Sequence, residues 1–405
     1  MKIAMVSEHA NPLAARGGLG GADAGGQNVF VAALAEEMGA QGHDVTVYTR
    51  RDSTGPPDRV RAAPGVTVEH VPAGPPSDVP KDDLLPWMPD FGRYLEARWR
   101  ADPPDVVHAH FWMSGVAALH ATRGDGAPRV PVVLTYHALG SVKRRHQGGR
   151  DTSPDERVAI EREIGRAADA VVATATGETG ELAAMGVPAD RVQVVPCGVD
   201  LRACTPYGPA DPKGAPYRLA VLSRMVERKG IDTAIRALAH IPDAELVVAG
   251  GPPADALGAD PEARRLIAVA ERAGVRDRVR LVGRRSRDEV PALLRSSDVV
   301  MTLPWYEPFG MVPLEAMGCA VPVVATGVGG HLDTVQDGVT GLLVPPRDPA
   351  EAARAVNVLL ADRERRASFG LAGRRIAEAR YSWPRVAHDT LAVYHRAMAA
   401  REVAA

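Results

Sequence analysis

Only three cysteines, Cys197, Cys204 and Cys319, occur in 405 residues, and none stands in a CxxC pair. The chain therefore has neither a disulfide framework nor a cysteine metal site, and its cysteines read as small buried side chains in a reducing compartment. No apolar run approaches the roughly 18 residues of a membrane span. At the amino terminus, the short apolar stretch after Lys2 is cut off by Ser7 and Glu8, too soon for a signal peptide. A cytoplasmic protein without a membrane span is expected. An excess of one charge is lacking too: 48 Lys and Arg against 50 Asp and Glu leave −2. No general field draws in nucleic acid or an anionic membrane, so any phosphate must be held locally.

What is present is ample core material, with 45% hydrophobic residues in a chain long enough for two or three domains. Short β-branched runs alternate with Ala-rich amphipathic stretches: KIAMV, then NVFVAALAEEMGAQG, then DVTVYT, with DVVHAH, PVVLTYH, AVVATA and RVQVVP continuing the series. This is a βαβ pattern, and it predicts a parallel sheet covered on both faces. Residues 196–217 hold five prolines and three glycines, which neither a helix nor a central strand tolerates, so 201–217 reads as a linker. A second series follows, YRLAVL, AELVVAGG, RVRLVG, DVVMTLP, PVVATG and GLLVPP. The expected class is α/β with two doubly wound Rossmann-like domains, residues 1–200 and 218–383. Two Ala/Arg-rich helical stretches come after the last strand and part near YSWP, and the final one, 384–400, is expected to pack back on the first domain. In such folds ligands lie beyond the carboxyl ends of the strands.

Four segments there carry chemistry. GGLGGADAGGQN, residues 17–28, has six glycines between the first strand and first helix, as an anion loop would. It misses the dinucleotide fingerprint, since the third position after Gly18 and Gly20 is Asp23. Arg50 and Arg51 after the second strand would nonetheless suit a 2′-phosphate, which keeps an NADP-dependent reductase as an alternative. In SRMVERKG, Arg224 and Lys229 offer a forked guanidinium and a compact ammonium, a pair suited to a diphosphate.

In WYEPFGMVPLEAMG, Pro308 and Gly310 keep Glu307 on a loop, while Pro313 suits the start of a helix carrying Glu315. Eight helical steps would span about 12 Å, beyond the roughly 5–9.5 Å of glycosidase carboxylate pairs, so these two form no hydrolytic dyad. Each instead suits different hydroxyls of one extended ligand. His137 closes PVVLTYH at its carboxyl end, where a histidine can donate to a substrate oxygen. His108 and His110 end a strand without a carboxylate partner in the sequence, and no metal site is assigned.

In this order the last three segments resemble the retaining glycosyltransferases of family 4, over nearly the whole chain and most strongly from Arg218 to Pro346. GADAGGQN resembles that loop in the sucrose-phosphate synthase and mycothiol inositol-phosphate glycosyltransferase branches. The resemblance implies the GT-B fold, two doubly wound domains facing across a cleft, with an acceptor domain first and a nucleotide-sugar domain second. It implies a UDP-sugar donor and a small polar acceptor, the nucleotide-sugar being a co-substrate, with no cofactor and no metal required.

By the same resemblance, Arg224 and Lys229 hold the diphosphate, Glu307 the donor-sugar hydroxyls and Glu315 the ribose. Phe309, Gly310 and Met311 bind the sugar through their backbone, Arg284 lies along the base, and His137 sits beside the transferring sugar. Gly25, Gly26, Gln27 and Asn28 line the acceptor side, with Lys81 and Arg157 for an acceptor phosphate. Phe111 and Ala138 stand where the inositol-phosphate branch has a tyrosine and a threonine, so two hydroxyl donors are missing. A non-catalytic module that binds nucleotide sugars would carry the same binding residues.

Overall fold

The computed structural model describes residues 1–17, 26–124 and 126–404. Its chain divides into two compact units, the first comprising 1–16, 26–196 and 386 onward, the second 197–385. The first unit holds eight strands: β1 Lys2–Val6, β2 Asp44–Arg50, β3 Arg59–Ala63, β4 Val66–Val71, β5 Val106–His110, β6 Val132–Thr135, β7 Ala170–Ala173 and β8 Val192–Val194. They lie in the order β3-β4-β2-β1-β5-β6-β7-β8, all parallel except the β3–β4 pair. The order reverses about β1, which puts a switch point between β1 and β5, and ligands of open α/β sheets bind at such a point.

The second unit has six parallel strands: β9 Tyr217–Leu222, β10 Ala244–Ala249, β11 Val279–Gly283, β12 Val299–Thr302, β13 Val323–Thr326 and β14 Gly341–Val344, ordered β11-β10-β9-β12-β13-β14. Here the switch point lies between β9 and β12. Both sheets carry near-continuous apolar strands because helices cover both faces. Leu219 and Val221 of β9 face one core with Leu246 and Val248, whereas Ala220 and Leu222 face another with Val247 and Ala249.

Residues 201–217, expected as a linker, count with the second unit. Their prolines and glycines forbid regular structure, but arginines of the unit take up their carbonyls. Arg295 donates to Thr205 O and Pro209 O, Arg374 to Cys204 O, and Arg218 to Asp211 O and Pro212 O. The division falls at 196/197 instead, and Val199 N donates to Tyr381 O within the second unit. All three cysteines are buried and free.

Past β14 there are three helices rather than two, Pro349–Ala361, Arg363–Arg380 and Trp383–Ala404. Asp362 ends one and caps the next by accepting from Arg365 N. From Val386 the last helix belongs to the first unit, where Tyr394 OH meets His108 Nδ1 at 2.7 Å.

Arg218 is the main tie. It is buried, bonds Glu245 at 2.8 Å through Nε and Ser296 Oγ at 2.7 Å through Nη1, and clamps 211–212 as above. Arg218→Ala strands a buried carboxylate that keeps the Gly214 N–H at 2.8 Å and, of the cations, Arg280 at 3.6 Å. The expected loss is about 3 kcal/mol of the second unit's stability in chemical denaturation, with faster proteolysis of the 205–216 stretch.

Candidate active site

In the second unit, the loops after the neighbouring strands β9 and β12 are joined, because Trp305 N donates to Arg228 O at 2.9 Å. Lys229 ends a single turn, Glu227–Lys229, and Gly230 turns the chain into the helix Ile231–Leu238. Gly230 has φ 67, and a Cβ there would stand 2.0 Å from Leu303 O, so only glycine lets the two loops touch. The result is a direct bond from Lys229 Nζ to Glu307 Oε2. Glu307 is fixed from behind as well, since Gly330 N donates to Glu307 O at 2.8 Å. The helix Met311–Gly318 follows, with Gly310 at φ 74 as its N-cap and no side chain capping it. Its first N–H groups lack intrahelical partners.

The charges are unequal. Burial works against Glu307's charge, but the Lys229 ammonium, with His331 and Arg228 behind it, holds the carboxyl down at about 2. Burial lowers the pKa of Lys229, and Arg228 and Arg224 push the same way against Glu307. One carboxylate thus stands among three cations, which leaves the corner receptive to an anion. Arg224 and Lys229 are close enough to act on each other. Glu315, on the second turn of the helix, has no such company; burial pushes it up to about 7, with Arg287 the one charge that opposes this. Arg284 follows β11, half-buried, with its backbone N–H on Pro252 O. His331, overlooked in the sequence, is buried beside Glu307, its Nδ1 3.0 Å from Thr326 O.

In the first unit, β1, β5 and β6 end side by side. His137 is buried after β6, and its Nε2 lies 3.0 Å from His110 Nδ1 at the end of β5. Phe30 from the helix Gly26–Ala40 stands edge-on to His137. Burial holds His108 and His137 well below the usual histidine range and His110 down at about 3, so all three are neutral. Among the described residues no cluster of His, Cys, Asp or Glu suits a metal ion. Gln27 donates to His110 O at 3.2 Å, and Asn28 to Asn11 O at 3.3 Å. Gly26 opens their helix, whereas Gly25 lies outside the described residues.

Lys81 pairs with Asp82, which accepts from Thr152. Arg157 is only 1% exposed; it donates to Glu161 Oε1, Ser153 Oγ and Ala138 O, and its guanidinium lies 5.0 Å over the Phe111 ring. The buried Arg–Glu pair on successive helical turns fixes it at the Phe111 and Ala138 corner. The arginines of the NADP alternative are engaged with the chain itself. Arg50 donates to Arg51 O, Pro75 O and Ser77 O, and Arg51 pairs with Asp58. Glu8 and His9, which follow β1, also went unread, although they occupy the strand-end position that marked His137.

Comparison with known proteins gives the family. Residues 24–203 match the family Glycosyltransferase Family 4, and residues 210–376 match Glycosyl transferases group 1. A relative from Xylanimonas cellulosilytica, named D-inositol 3-phosphate glycosyltransferase, is 38% identical, covering 98% of this chain and 97% of its own. One of the same name from Kineococcus radiotolerans is 37% identical over 98% and 95%. Among solved structures, sucrose-phosphate synthase from Thermosynechococcus elongatus superposes with TM-score 0.87 at 29% identity, covering 99% of this chain and all of its own. Anabaena HepE in complex with UDP and glucose reaches 0.75 at 20% identity, over 98% and 100%, a likeness of fold. The protein is a glycosyltransferase of the GT-B fold. Specifically, the chain belongs to the family 4 glycosyltransferases, among relatives named for D-inositol 3-phosphate. No described helix is long and apolar enough to cross a membrane.

The Glu315 carboxyl has a pH signature. Its folded pKa lies above the ordinary 4.5, so its contribution to stability is full below about 4.5 and is lost as pH rises through about 7. Glu315→Gln should therefore melt higher than the parent at pH 8, with the gap closing toward pH 5. Melting curves across that range check this.

Proposed function

We propose that the protein moves a hexose from a UDP-sugar to a hydroxyl of a polar sugar- or cyclitol-like acceptor, free or phosphorylated, with retention at the anomeric carbon. The observation that carries this reading is the surplus of cations around Glu307, beside a helix start with no side-chain cap. A departing diphosphate brings the negative charge that Arg224 and Lys229 lack, and their charge stabilises it most as the glycosidic bond breaks. Glu307, kept ionised, accepts from donor-sugar hydroxyls, and the N–H groups from Gly310 onward hold the sugar through backbone. Glu315 takes the ribose, and Arg284 flanks the base. His137 is neutral and buried at a strand end, which suits hydrogen bonding to the transferring sugar.

Attack from the side that the diphosphate leaves needs no protein nucleophile. Lys229 and Arg224 take the place of a divalent cation, so the transfer runs without metal. Structural relatives with UDP in their names support the donor, and the names of sequence relatives support a cyclitol acceptor. Gly26, Gln27, Asn28 and Lys81 belong to the acceptor half of this reading, in domains that follow the two units.

Arg224→Ala and Lys229→Ala should each cut turnover about a hundredfold or more, the typical effect of removing one donor to developing charge. Glu307→Gln should lower turnover too, while Glu315→Gln should mainly weaken UDP binding. Steady-state assays with a UDP-sugar panel check this, and near-normal rates in both cation variants would refute it. EDTA should leave the rate unchanged. UDP, and not NADP, should raise the melting temperature, and UDP release should depend on acceptor, which a pure binding module would not show.

A further inference from the structure

Glu307 lies on a short segment after β12 that begins at Trp305, and the loops after β9, β13 and β14 all grip it. After β9, Arg228 O accepts from Trp305 N at 2.9 Å, and Arg228 Nη1 donates to Tyr306 O at 3.5 Å. After β13, Gly330 N donates to Glu307 O at 2.8 Å. After β14, the guanidinium of Arg347 lies over the Trp305 ring, 3.7 Å from its centroid. A cation so placed is drawn to the negative face of the indole, and a planar guanidinium also stacks on it.

That last contact is made from a strained backbone. Arg347 has φ 62, in the left-handed region that glycine takes freely and a residue with a Cβ does not. The helix that follows, Pro349–Ala361, needs no arginine there, because Asp348 caps it by accepting from Ala350 N and Glu351 N. The Arg347 side chain is exposed, and among the described residues it makes no hydrogen bond and no ion pair. Trp305 is half-buried, and its Nε1 is sealed from solvent without an acceptor among the described residues. The directional bond that ordinarily orients an enclosed indole is missing, so the ring's orientation rests on what lies against its faces.

We propose that Arg347 is a positioning residue for the donor sugar: stacked on Trp305, it fixes the segment 305–307 and with it the Glu307 carboxylate that meets the sugar's hydroxyls. Arg347 acts through Trp305 and does not touch the ligand. This rests on the donor half of the reading above, and its test separates the two.

The variant is Arg347→Gly, which suits the left-handed turn, and the probes are UDP and UDP-glucose in titration calorimetry. UDP-glucose should bind about tenfold more weakly than to the unmodified protein, whereas UDP, with no sugar for Glu307 to hold, should change by less than about twofold. The melting temperature should not fall, since glycine relieves the strained turn. A purely structural stack predicts a lower melting temperature with both ligands weakened alike, and a direct contact of Arg347 with the diphosphate predicts that UDP weakens as much as UDP-glucose. Either result overturns the proposal, as does unaltered binding of both. In a Trp305→Leu background, Arg347→Gly should add no further loss; additive losses overturn the route through Trp305. Independently, the indole 1H–15N resonance of Trp305, assigned by its disappearance in Trp305→Phe, should move in Arg347→Gly, and an unmoved resonance overturns the proposal whatever the binding. If the unmodified protein binds neither probe, the donor reading fails, while the indole resonance still decides whether Arg347 holds Trp305.

Discussion

The contact on which the second unit's chemistry depends is the bond between Lys229 and Glu307, made where two loops of neighbouring parallel strands meet. Neither partner would keep its charge alone in so buried a place, because desolvation disfavours each ion separately. Together they do, and the additional charges of Arg228 and Arg224 tip the corner toward excess positive potential. The ammonium is thus incompletely neutralised. Everything else in these loops serves that contact. Gly230 permits the close approach, Trp305 N ties the loops, and Gly330 N holds Glu307 from its carbonyl side.

The first unit solves a different problem with neutral groups. His108, His110 and His137 are buried and uncharged, and their nitrogens meet Tyr394, Thr135 and one another. A neutral imidazole donates through one nitrogen and accepts through the other, so such a layer can meet hydroxyls without the desolvation cost of an ion. Near it the ion pair of Arg157 with Glu161 is closed on itself, and Glu8 bonds His9. One unit gathers charge at its strand ends, the other neutral hydrogen-bonding groups.

Much of this was legible in the sequence, because period and punctuation report what each sheet needs. Twelve apolar runs between Gly and Pro turns placed twelve strands, and the strand-end rule placed His137, Arg224 and Glu307. What escaped reading has physical reasons. β3, RVRAA, is a half-exposed edge strand paired antiparallel to β4, and alternating arginines hide it. The stretch 201–217 looked like a linker because its composition forbids helix and strand, yet arginines distant in sequence satisfy its carbonyls, a long-range device no local pattern reveals. The pairing of Arg157 with Glu161 went unread because residue type alone does not tell that the two are buried together one helical turn apart. Asp362 was readable in principle, as an acid ahead of Arg-Glu-Arg, but two Ala-rich helices so close together share one periodicity.

Backbone strain shows which groups each unit needs. Phe111 and His137 hold φ of 86 and 61 just beyond β5 and β6, where glycine would be cheap. Such conformations cost on the order of 1–3 kcal/mol each for a residue with a side chain. The chain nevertheless keeps an aromatic ring and an imidazole there, held by Phe111 N to Thr135 O at 2.8 Å and Ala138 N to Tyr136 O at 2.7 Å. At the corresponding strand ends of the second unit, Gly230 and Gly310 adopt similar φ without that cost. Those loops need main chain close to main chain and bare N–H groups, so side chains are dispensable at the turns. In the first unit the turns themselves carry the rings, and the backbone bonds around them hold the strained conformation in place.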